Sequence, residues 1–162
     1  MIREEQARDH DAIDEVNRLA FGGESEVNLV RWLRRDRLLV ASLVAERDGE
    51  VIGHILFSRI TINGARPSAA LAPMAVRPEW QNRGVGSALV RSGLALCKDR
   101  GIEAVVVVGH PNYYPRFGFS TETARRLKCV YAGEAFMALE LTPGGLGSGA
   151  GHVVYPEAFE SV

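Results

Sequence analysis

The sequence predicts an α/β fold with a mixed sheet, which is antiparallel in its first strands and then parallel across a single helical crossover. Two hairpin signals, Asp48-Gly49 and Asn63-Gly64, separate the first three β-like apolar segments. A glycine turn, Gly84-Val85-Gly86, comes after the third segment and opens a helical pattern that leads to a β-branched run. A doubly wound nucleotide-binding fold fits less well, because its glycine turn follows the first strand of a parallel series.

Apolar periodicity and turn residues place the elements along the chain. A first helix is expected over about 10–20, with Asp9 as its N-cap, and a second near 25–35, with its apolar face opposite a basic side. The run from Ala104 to Val108 is β-branched on both faces, which predicts a strand buried on both sides. The other expected elements are strands over 38–46, 51–61 and 69–76, a helix over 84–100, a short helix around 112–117, and strands over about 119–130 and 134–141.

The carboxyl end differs in composition from the rest of the chain. Residues 143–151 are rich in glycine, which is typical of a flexible linker. They are followed by an apolar tail that contains Tyr155 and Phe159. We therefore predict one domain over residues 1–142, and a linker with a tail, 143–162, that docks on the same domain.

The composition limits the kinds of partner. The chain has 162 residues, of which 46% are hydrophobic, so one domain can bury a core without disulfides or metals. Its formal net charge of -1 argues against a broad nucleic-acid-binding surface. Two basic clusters are interpreted as solvated faces, although a contact with an anion stays open for either. They are Arg31, Arg34, Arg35 and Arg37, and Arg125, Arg126 and Lys128.

Neither a metal nor a membrane is expected. Cys97 and Cys129 lie far apart without Cys-x-x-Cys spacing, and the histidines are scattered without the spacing of metal ligands. The segment from Met1 to Glu5 lacks the apolar region of a secretion signal, and no apolar run is long enough to span a bilayer. We therefore expect a cytoplasmic protein.

The glycine turn has the chemistry of an anion site. A strand that passes through such a turn into a helix presents several unpaired N–H groups at the positive end of the helix dipole. Because Gly84 and Gly86 carry no Cβ, an anion such as pyrophosphate can approach this backbone. Tight turns also carry glycines for steric reasons alone, so both interpretations are open at this point.

Two motifs resemble those of one enzyme superfamily. The pattern Gln81-x-x-Gly84-x-Gly86 resembles the acetyl-CoA-binding motif of the GNAT N-acetyltransferases, and Tyr114-x-x-x-Gly118-Phe119 resembles their Tyr-x-x-x-Gly-Phe signature. Within the superfamily the chain is most similar to the bacterial YhbS-like branch. Three segments show this resemblance. They are Ala20-Phe21-Gly22, the run from Gly109 to Phe119, and Tyr155-Pro156-Glu157-Ala158-Phe159.

The resemblance implies a fold, an activity and a set of partners. The fold would be GNAT-like, with a parallel pair of strands that splays apart around the glycine-turn helix. The activity would be transfer of an acetyl group from acetyl-CoA, as co-substrate, to an amine of a small molecule or of a protein or peptide. The oligomeric state stays open between monomer and homodimer. The residues assigned to the cofactor are Met74, Ala75, Val76, Gln81, Asn82, Arg83, Gly84, Val85, Gly86, Ser87, Asn112, Tyr113 and Phe117.

Pro73 is unexpected inside a central strand unless the strand bulges or has a free edge there. If strand 69–76 parts from strand 104–109, the main-chain groups of Met74, Ala75 and Val76 are left unpaired. An extended ligand with amide groups can then bind them as an added strand would. The resemblance implies that the pantetheine arm of the cofactor does so, and that a backbone N–H near Ala75 holds the acetyl oxygen. A bulge that only curves the sheet is the alternative.

Two residues are candidates for proton transfer. The resemblance places Tyr114 where a phenol protonates the departing thiolate. Strand 69–76 has no carboxylate, so the general base is sought in Glu26 at the start of the second helix, where a favourable interaction with the helix dipole is the alternative explanation. Glu24 is a weaker candidate, and His110 lies near the mouth of the groove in a position where the branch also tolerates Asp.

Two other functions stay open. The missing carboxylate in strand 69–76 favours a CoA-binding regulatory or interaction module with weak or lost catalysis, while the presence of Tyr114 opposes it. The glycine turn alone would also suit a nucleotide-binding protein of another class.

Overall fold

The computed structural model describes residues 1–62, 66–147 and 151–161. Its strands are β1 (Ile2–Glu4), β2 (Leu39–Arg47), β3 (Glu50–Ile62), β4 (Ser68–Val76), β5 (Ala104–Val108), β6 (Leu127–Lys128), β7 (Phe136–Glu140) and β8 (Gly151–Val154). Its α-helices are α1 (His10–Phe21), α2 (Ser25–Arg35), α3 (Val85–Asp99) and α4 (Thr121–Ala124). Short 3₁₀ helices span Ala7–Asp9, Pro78–Trp80, Tyr114–Phe117 and Glu157–Ser161.

The main sheet has the order β1-β2-β3-β4-β5-β7. Strands β1 to β4 pair antiparallel, β4 and β5 pair parallel across helix α3, and β7 returns antiparallel to β5. Outside this order, β8 pairs antiparallel with the end of β3 and parallel with β6. The predicted mixed sheet, with antiparallel strands before a helical crossover, is confirmed.

The parallel pair separates halfway along its length. Strands β4 and β5 are paired from Ser68 opposite Ala104 to Leu71 opposite Val107, and the described residues form no pairs between them beyond that point. On its other side β4 shifts register against β3 between Ile55 and Phe57. Two residues of β4, Ala72 and Pro73, therefore face one residue of β3, which is the arrangement of a β-bulge. The proline marks both this bulge and the start of the free edge.

Helices cover both faces of the sheet. Helices α1 and α2 pack on one face through residues such as Ile13 and Leu29, which belong to the same buried cluster as Val106 of β5. Helix α3 packs on the other face through Leu89 and Leu94, in a cluster with Val105 and Val107. Strand β5 is therefore buried on both sides, as its β-branched run predicts. In the described ranges no helix has the length and apolar character needed to cross a bilayer.

The prediction of a strand over 119–130 is wrong. Ser120 forms a single bridge with Ala138, and helix α4 begins immediately after it. The Ser120 hydroxyl accepts a hydrogen bond from the Thr123 N–H at 2.9 Å, which makes this serine an N-cap. Within this range only Leu127 and Lys128, which are β6, form a strand. The hairpin expected at Asn63-Gly64 lies outside the described residues.

The carboxyl-terminal tail packs on the domain. Strand β8 pairs with β3 through Val153 opposite Ile62, and Phe159 is only 6% exposed. Of the expected linker, Leu146 is 7% exposed, and a Cβ on Gly145 would lie 2.0 Å from the Glu103 carbonyl oxygen. These two residues are therefore packed against the domain, in contrast to the flexible linker that the glycine content predicts. The division of the chain at residue 142 stays a prediction.

A chain of hydrogen bonds crosses the core at His54, which is fully buried. The Asn17 amide donates to His54 Nδ1 at 3.1 Å, so Nε2 carries the proton and donates to Ser42 Oγ at 3.0 Å. The Ser42 hydroxyl in turn donates to Glu5, which is paired with Arg34 at 2.9 Å. Burial lowers the pKa of His54 to about 4, so the imidazole is neutral in this network at neutral pH.

The buried histidine predicts a loss of stability in acid. Between its ordinary pKa near 6.5 and a folded-state value of about 4, the unfolded chain binds the proton and the folded chain does not. The free energy of unfolding therefore has its full value above pH 6.5. It decreases as the pH drops, by up to about 3 kcal/mol for a shift of this size. Urea unfolding of the wild type and of His54→Gln at pH 7 and pH 4.5 measures this loss. An equal loss in both proteins would contradict the assignment.

Candidate active site

A cavity of about 430 Å³ opens where β4 and β5 separate. Its strand walls include Leu71, Pro73 and Met74 of β4 and Val107 and Val108 of β5. The topology of the sheet places this site. Strand β4 leads into the glycine turn and β5 leads into the segment after Val108, and because the two strands are parallel, their carboxyl ends meet at one edge of the sheet. The cavity lies in the range of roughly 300–1,000 Å³ that is typical of small-molecule sites.

The antiparallel ladder decides which main-chain groups of β4 face the opening. The Arg77 N–H donates to the Ile52 carbonyl at 2.8 Å, and His54 lies opposite Ala75. Because hydrogen-bonded pairs alternate along such a ladder, Ala75 also faces β3, whereas Met74 and Val76 direct their main-chain groups to the open side. The free edge is therefore supplied by Met74 and Val76, and the expectation that Ala75 shares it is not met.

The glycine turn holds helix α3 close to this edge. Gly84 is the N-cap of the helix and has φ 85°, a left-handed conformation that favours glycine. A Cβ on Gly86 would lie 3.0 Å from Met74 Sδ and 3.3 Å from the Tyr113 hydroxyl oxygen. Gly84 thus serves the backbone conformation, while the absence of a side chain at Gly86 lets the first turn of α3 pack closely against Met74 and Tyr113.

The residues before the helix are exposed, and two of them have structural contacts. The Gln81 side chain donates to the Val76 carbonyl at 3.0 Å and so fixes the turn to the end of β4. The Arg83 guanidinium stacks on Trp80, with 5.3 Å from its carbon to the ring centroid, and Arg47 stacks on the same ring at 4.9 Å. Asn82 has φ 62°, which asparagine tolerates better than most residues.

Tyr114 lies between the cavity and the core. The residue is 8% exposed and lines the cavity, and its hydroxyl makes no hydrogen bond with the other described residues. Burial, with a smaller contribution from Tyr113, raises the pKa of Tyr114 to about 12, so the phenol stays protonated at neutral pH. A Cβ on Gly109 would lie 2.3 Å from the Tyr114 ring, so only glycine at position 109 admits the ring in this place.

The neighbouring aromatic residues brace this segment against α3. The Tyr113 hydroxyl and Ser87 Oγ are 2.9 Å apart, which joins the segment to the first turn of the helix. The Phe117 ring lies 5.3 Å from that of Tyr113, and the Arg91 guanidinium stacks over it at 5.1 Å. Asn112 is exposed, and its main-chain carbonyl accepts a hydrogen bond from the Arg116 side chain at 3.4 Å.

Glu26 is the carboxylate of the cavity. It lies half-buried in the first turn of α2 and lines the cavity together with Tyr114 and His110. Glu24 is exposed and pairs with Arg18 at 3.0 Å, and it does not line the cavity. Glu24, the weaker candidate for the base, is therefore held outside the cavity by Arg18. His110 is exposed at the cavity mouth.

Not all predicted site residues meet in one place. Glu26, Met74 and Tyr114 line the same cavity, and Gly86, Ser87 and Tyr113 adjoin it through the contact with Met74. The other cofactor candidates lie outside the residues that line the cavity, and they are Ala75, Val76, Gln81, Asn82, Arg83, Gly84, Val85, Asn112 and Phe117. The described residues contain no group of three or more His, Cys, Asp or Glu that could hold a metal ion.

Several residues of this site were given no role from the sequence. Tyr131, Tyr155 and Phe159 line the cavity, and Gly109 positions Tyr114. Two of them had a signal, since Tyr155 and Phe159 stand in an apolar segment that had to pack against some surface. Tyr131 had none, because it lies between the strands expected over 119–130 and 134–141, outside every motif.

Known proteins share this architecture. Residues 5–119 match the model of the acetyltransferase (GNAT) family. An uncharacterized N-acetyltransferase of Escherichia coli K12, YhbS, is 36% identical over 163 residues, which span 98% of this chain and 98% of that protein. Another protein of that strain, the uncharacterized N-acetyltransferase YjhQ, is 44% identical over 112 residues, and the match covers 66% of this chain but only 62% of YjhQ.

Two crystal structures are similar over almost the whole chain. The structure of E. coli YhbS in complex with CoA superimposes with a TM-score of 0.92 at 35% identity, covering 99% of this chain and 91% of that chain. A GNAT family acetyltransferase from Brucella melitensis in complex with acetyl-CoA gives a TM-score of 0.82 at 36% identity, covering 98% of this chain and 97% of that chain. The family match and these relatives show that the chain belongs to the GNAT family of acetyltransferases.

Proposed function

We propose that this protein transfers an acetyl group from acetyl-CoA to a primary amine by direct attack of the amine on the thioester. The observation that carries the proposal is the cavity at the strand separation. It joins a carboxylate, Glu26, to a buried phenol, Tyr114, beside the free edge of β4 at Met74. The transfer requires one group that accepts a proton from the amine and one that donates a proton to the departing sulfur, and Glu26 and Tyr114 suit these two roles.

The cofactor fits the edge and the turn. The N–H groups of the first turn of α3 are unpaired by the helix and suit the pyrophosphate, and the space around the Cβ position of Gly84 is open. Arg83, held on Trp80, adds positive charge at this turn. The open main-chain groups of Met74 and Val76 suit the amides of the pantetheine arm. The Val76 carbonyl already accepts a hydrogen bond from Gln81, so Val76 has its N–H to offer.

The proton transfers follow from the side chains that line the cavity. The amine nitrogen attacks the carbonyl carbon, the C–N bond forms, and the C–S bond breaks. Glu26, directly or through water, accepts the proton that the amine loses, and Tyr114 donates a proton to the departing sulfur. The acetyl oxygen would be held by the N–H of Met74 or Val76 rather than by that of Ala75, because Ala75 faces β3.

The alternative is a CoA-binding module with weak or lost catalysis. Its main support was the lack of a carboxylate in β4, and the position of Glu26 in the cavity weakens that support. The cofactor roles of Asn82, Val85, Asn112 and Phe117 stay predictions, as do the monomeric or homodimeric state and the cytoplasmic location.

Replacement of Gly86 tests the cofactor site. Gly86→Val places side-chain atoms against Met74 and Tyr113, so the first turn of α3 must shift and its N–H groups lose the arrangement that suits the pyrophosphate. Loss of two charge-assisted hydrogen bonds predicts an acetyl-CoA affinity at least about 100-fold lower by calorimetry.

The control is Ala95→Val, which introduces the same β-branched residue at an exposed position of the same helix. It should keep the wild-type affinity for acetyl-CoA. A folded Gly86→Val protein with unchanged affinity would overturn the assignment of the glycine turn.

A further inference from the structure

Three aromatic side chains close the cavity on the side of the carboxyl-terminal tail. Tyr131 and Tyr155 pack edge-to-face with their ring centroids 4.9 Å apart, and Tyr155 and Phe159 lie 5.0 Å apart. The Tyr131 hydroxyl also donates to the Phe159 carbonyl at 3.2 Å. All three line the cavity that contains Glu26. We call this group, Tyr131, Tyr155 and Phe159, the tail cluster.

Few polar side chains line the cavity. Among the described residues that line it, Glu26 is the only carboxylate, there is no lysine or arginine, and the one basic side chain is His110, which is exposed at the mouth. The nearest basic residues along α2 are engaged outside the cavity, since Arg31 pairs with Asp14 at 2.8 Å and Arg34 pairs with Glu5 at 2.9 Å. A carboxylate on the acceptor would therefore enter an apolar interior that holds another carboxylate and no lysine or arginine, at a high desolvation cost.

We propose that the acceptor is a small primary amine without a carboxylate, whose apolar aromatic or alkyl body packs on the tail cluster while its amino group lies at Glu26. This inference rests on the proposed function and adds to it the class of acceptor. The cavity of about 430 Å³ has room for a small molecule, and the aromatic walls match an apolar body in size and polarity. Tyr155 is then a specificity-determining residue, because it contacts both other rings of the cluster.

Three compounds with the same side chain test the charge rule. Phenethylamine, phenylalanine and phenylalaninamide differ only in the group at the α-carbon, which is hydrogen, a carboxylate or a neutral amide. Formation of the N-acetyl product is measured by mass spectrometry with saturating acetyl-CoA, and kcat/KM is expressed per neutral amine because the three amino groups differ in pKa. We expect kcat/KM for phenethylamine to exceed that for phenylalanine by at least about 100-fold, since a buried unpaired charge is strongly disfavoured.

The outcomes separate the inference from the proposed function. Acetylation of phenylalanine as fast as phenethylamine would overturn the inference and leave the acetyl transfer standing. A strong preference for phenylalaninamide over phenethylamine would also overturn it, and would indicate the amino terminus of a peptide as acceptor. If acetyl-CoA binds but none of the three amines is acetylated, the inference fails, whereas the proposed function fails only if a broader panel of primary amines also gives no amide product.

Variants of the tail test the packing part of the inference. Tyr155→Ala removes the central ring of the tail cluster and should raise KM for phenethylamine by about tenfold or more, while KM for acetyl-CoA and kcat change little. Val154→Ala is the control, because Val154 is the adjacent residue and is 54% exposed. Thermal unfolding followed by circular dichroism confirms that both variants are folded. Equal losses in kcat and in acetyl-CoA binding in Tyr155→Ala would mean that the ring only supports the fold, and would overturn its role in specificity.

Discussion

Tyr114→Phe is expected to lower kcat by about 10²–10⁴-fold, which is the usual contribution of a general acid. The ring keeps its place against Gly109, so the loss comes from the hydroxyl and not from packing. Because protonation of sulfur matters only along the reaction path, the affinity for acetyl-CoA should change much less than kcat. Steady-state kinetics together with calorimetry of acetyl-CoA binding measure the two effects separately.

Tyr113→Phe is the matched control for this variant. The Tyr113 hydroxyl is hydrogen-bonded to Ser87 Oγ at 2.9 Å, beside Gly86. The change therefore removes one neutral hydrogen bond, worth about 1 kcal/mol. A modest effect on affinity is expected, with kcat nearly unchanged. A wild-type rate in Tyr114→Phe combined with a large loss of kcat in Tyr113→Phe would show that the motif register or the assigned role is wrong.

Glu26→Gln is expected to have the second largest effect. The amide keeps the shape of the side chain and removes its basicity, so the rate should fall by about 10²-fold near neutral pH, where most of the amine carries a proton. The loss should shrink as the pH rises and the amine becomes neutral without help. The pH dependence of kcat/KM in the two proteins measures this trend. A constant ratio across the whole range would indicate that Glu26 only positions the amine.

Glu24→Gln is the control for the base. Glu24 is exposed and paired with Arg18, outside the cavity, so its replacement should leave the rate and its pH dependence unchanged. A rate loss as large as that of Glu26→Gln would mean that the loop before α2 moves and that the two carboxylates have been assigned the wrong way round.

The order of the elements could be predicted because local signals were strong. The turn Asp48-Gly49, the glycine turn before α3 and the β-branched run of β5 each act through backbone conformation or burial that a few residues determine. Strand β1 could not be found in this way, because three residues are too few to show a period. Its position depends on contacts distant in sequence, such as Arg3 with Asp9 at 2.8 Å and with Glu46 at 2.9 Å.

The site was only partly predictable for a similar reason. Motifs that act through the backbone, such as Gly86 and Pro73, led to the turn and to the free edge of β4. The alternation that turns Ala75 toward β3 depends on the register against β3, which no local pattern contains. The tail cluster depends on the docking of a segment distant in sequence, so Tyr131 could not be connected with Tyr155 from the sequence alone.

The most direct measurement of the central claim is a single turnover with protein in excess over acetyl-CoA labelled in the acetyl group. Samples quenched at short times are analysed by mass spectrometry for the amide product and for the mass of the protein, with and without the best amine acceptor. Direct attack predicts that amide and free CoA appear at one rate, that the thioester persists without amine, and that the protein never gains an acetyl group. An acetylated protein that forms before the amide, or release of CoA that does not depend on amine, would contradict transfer in the cavity between Glu26 and Tyr114.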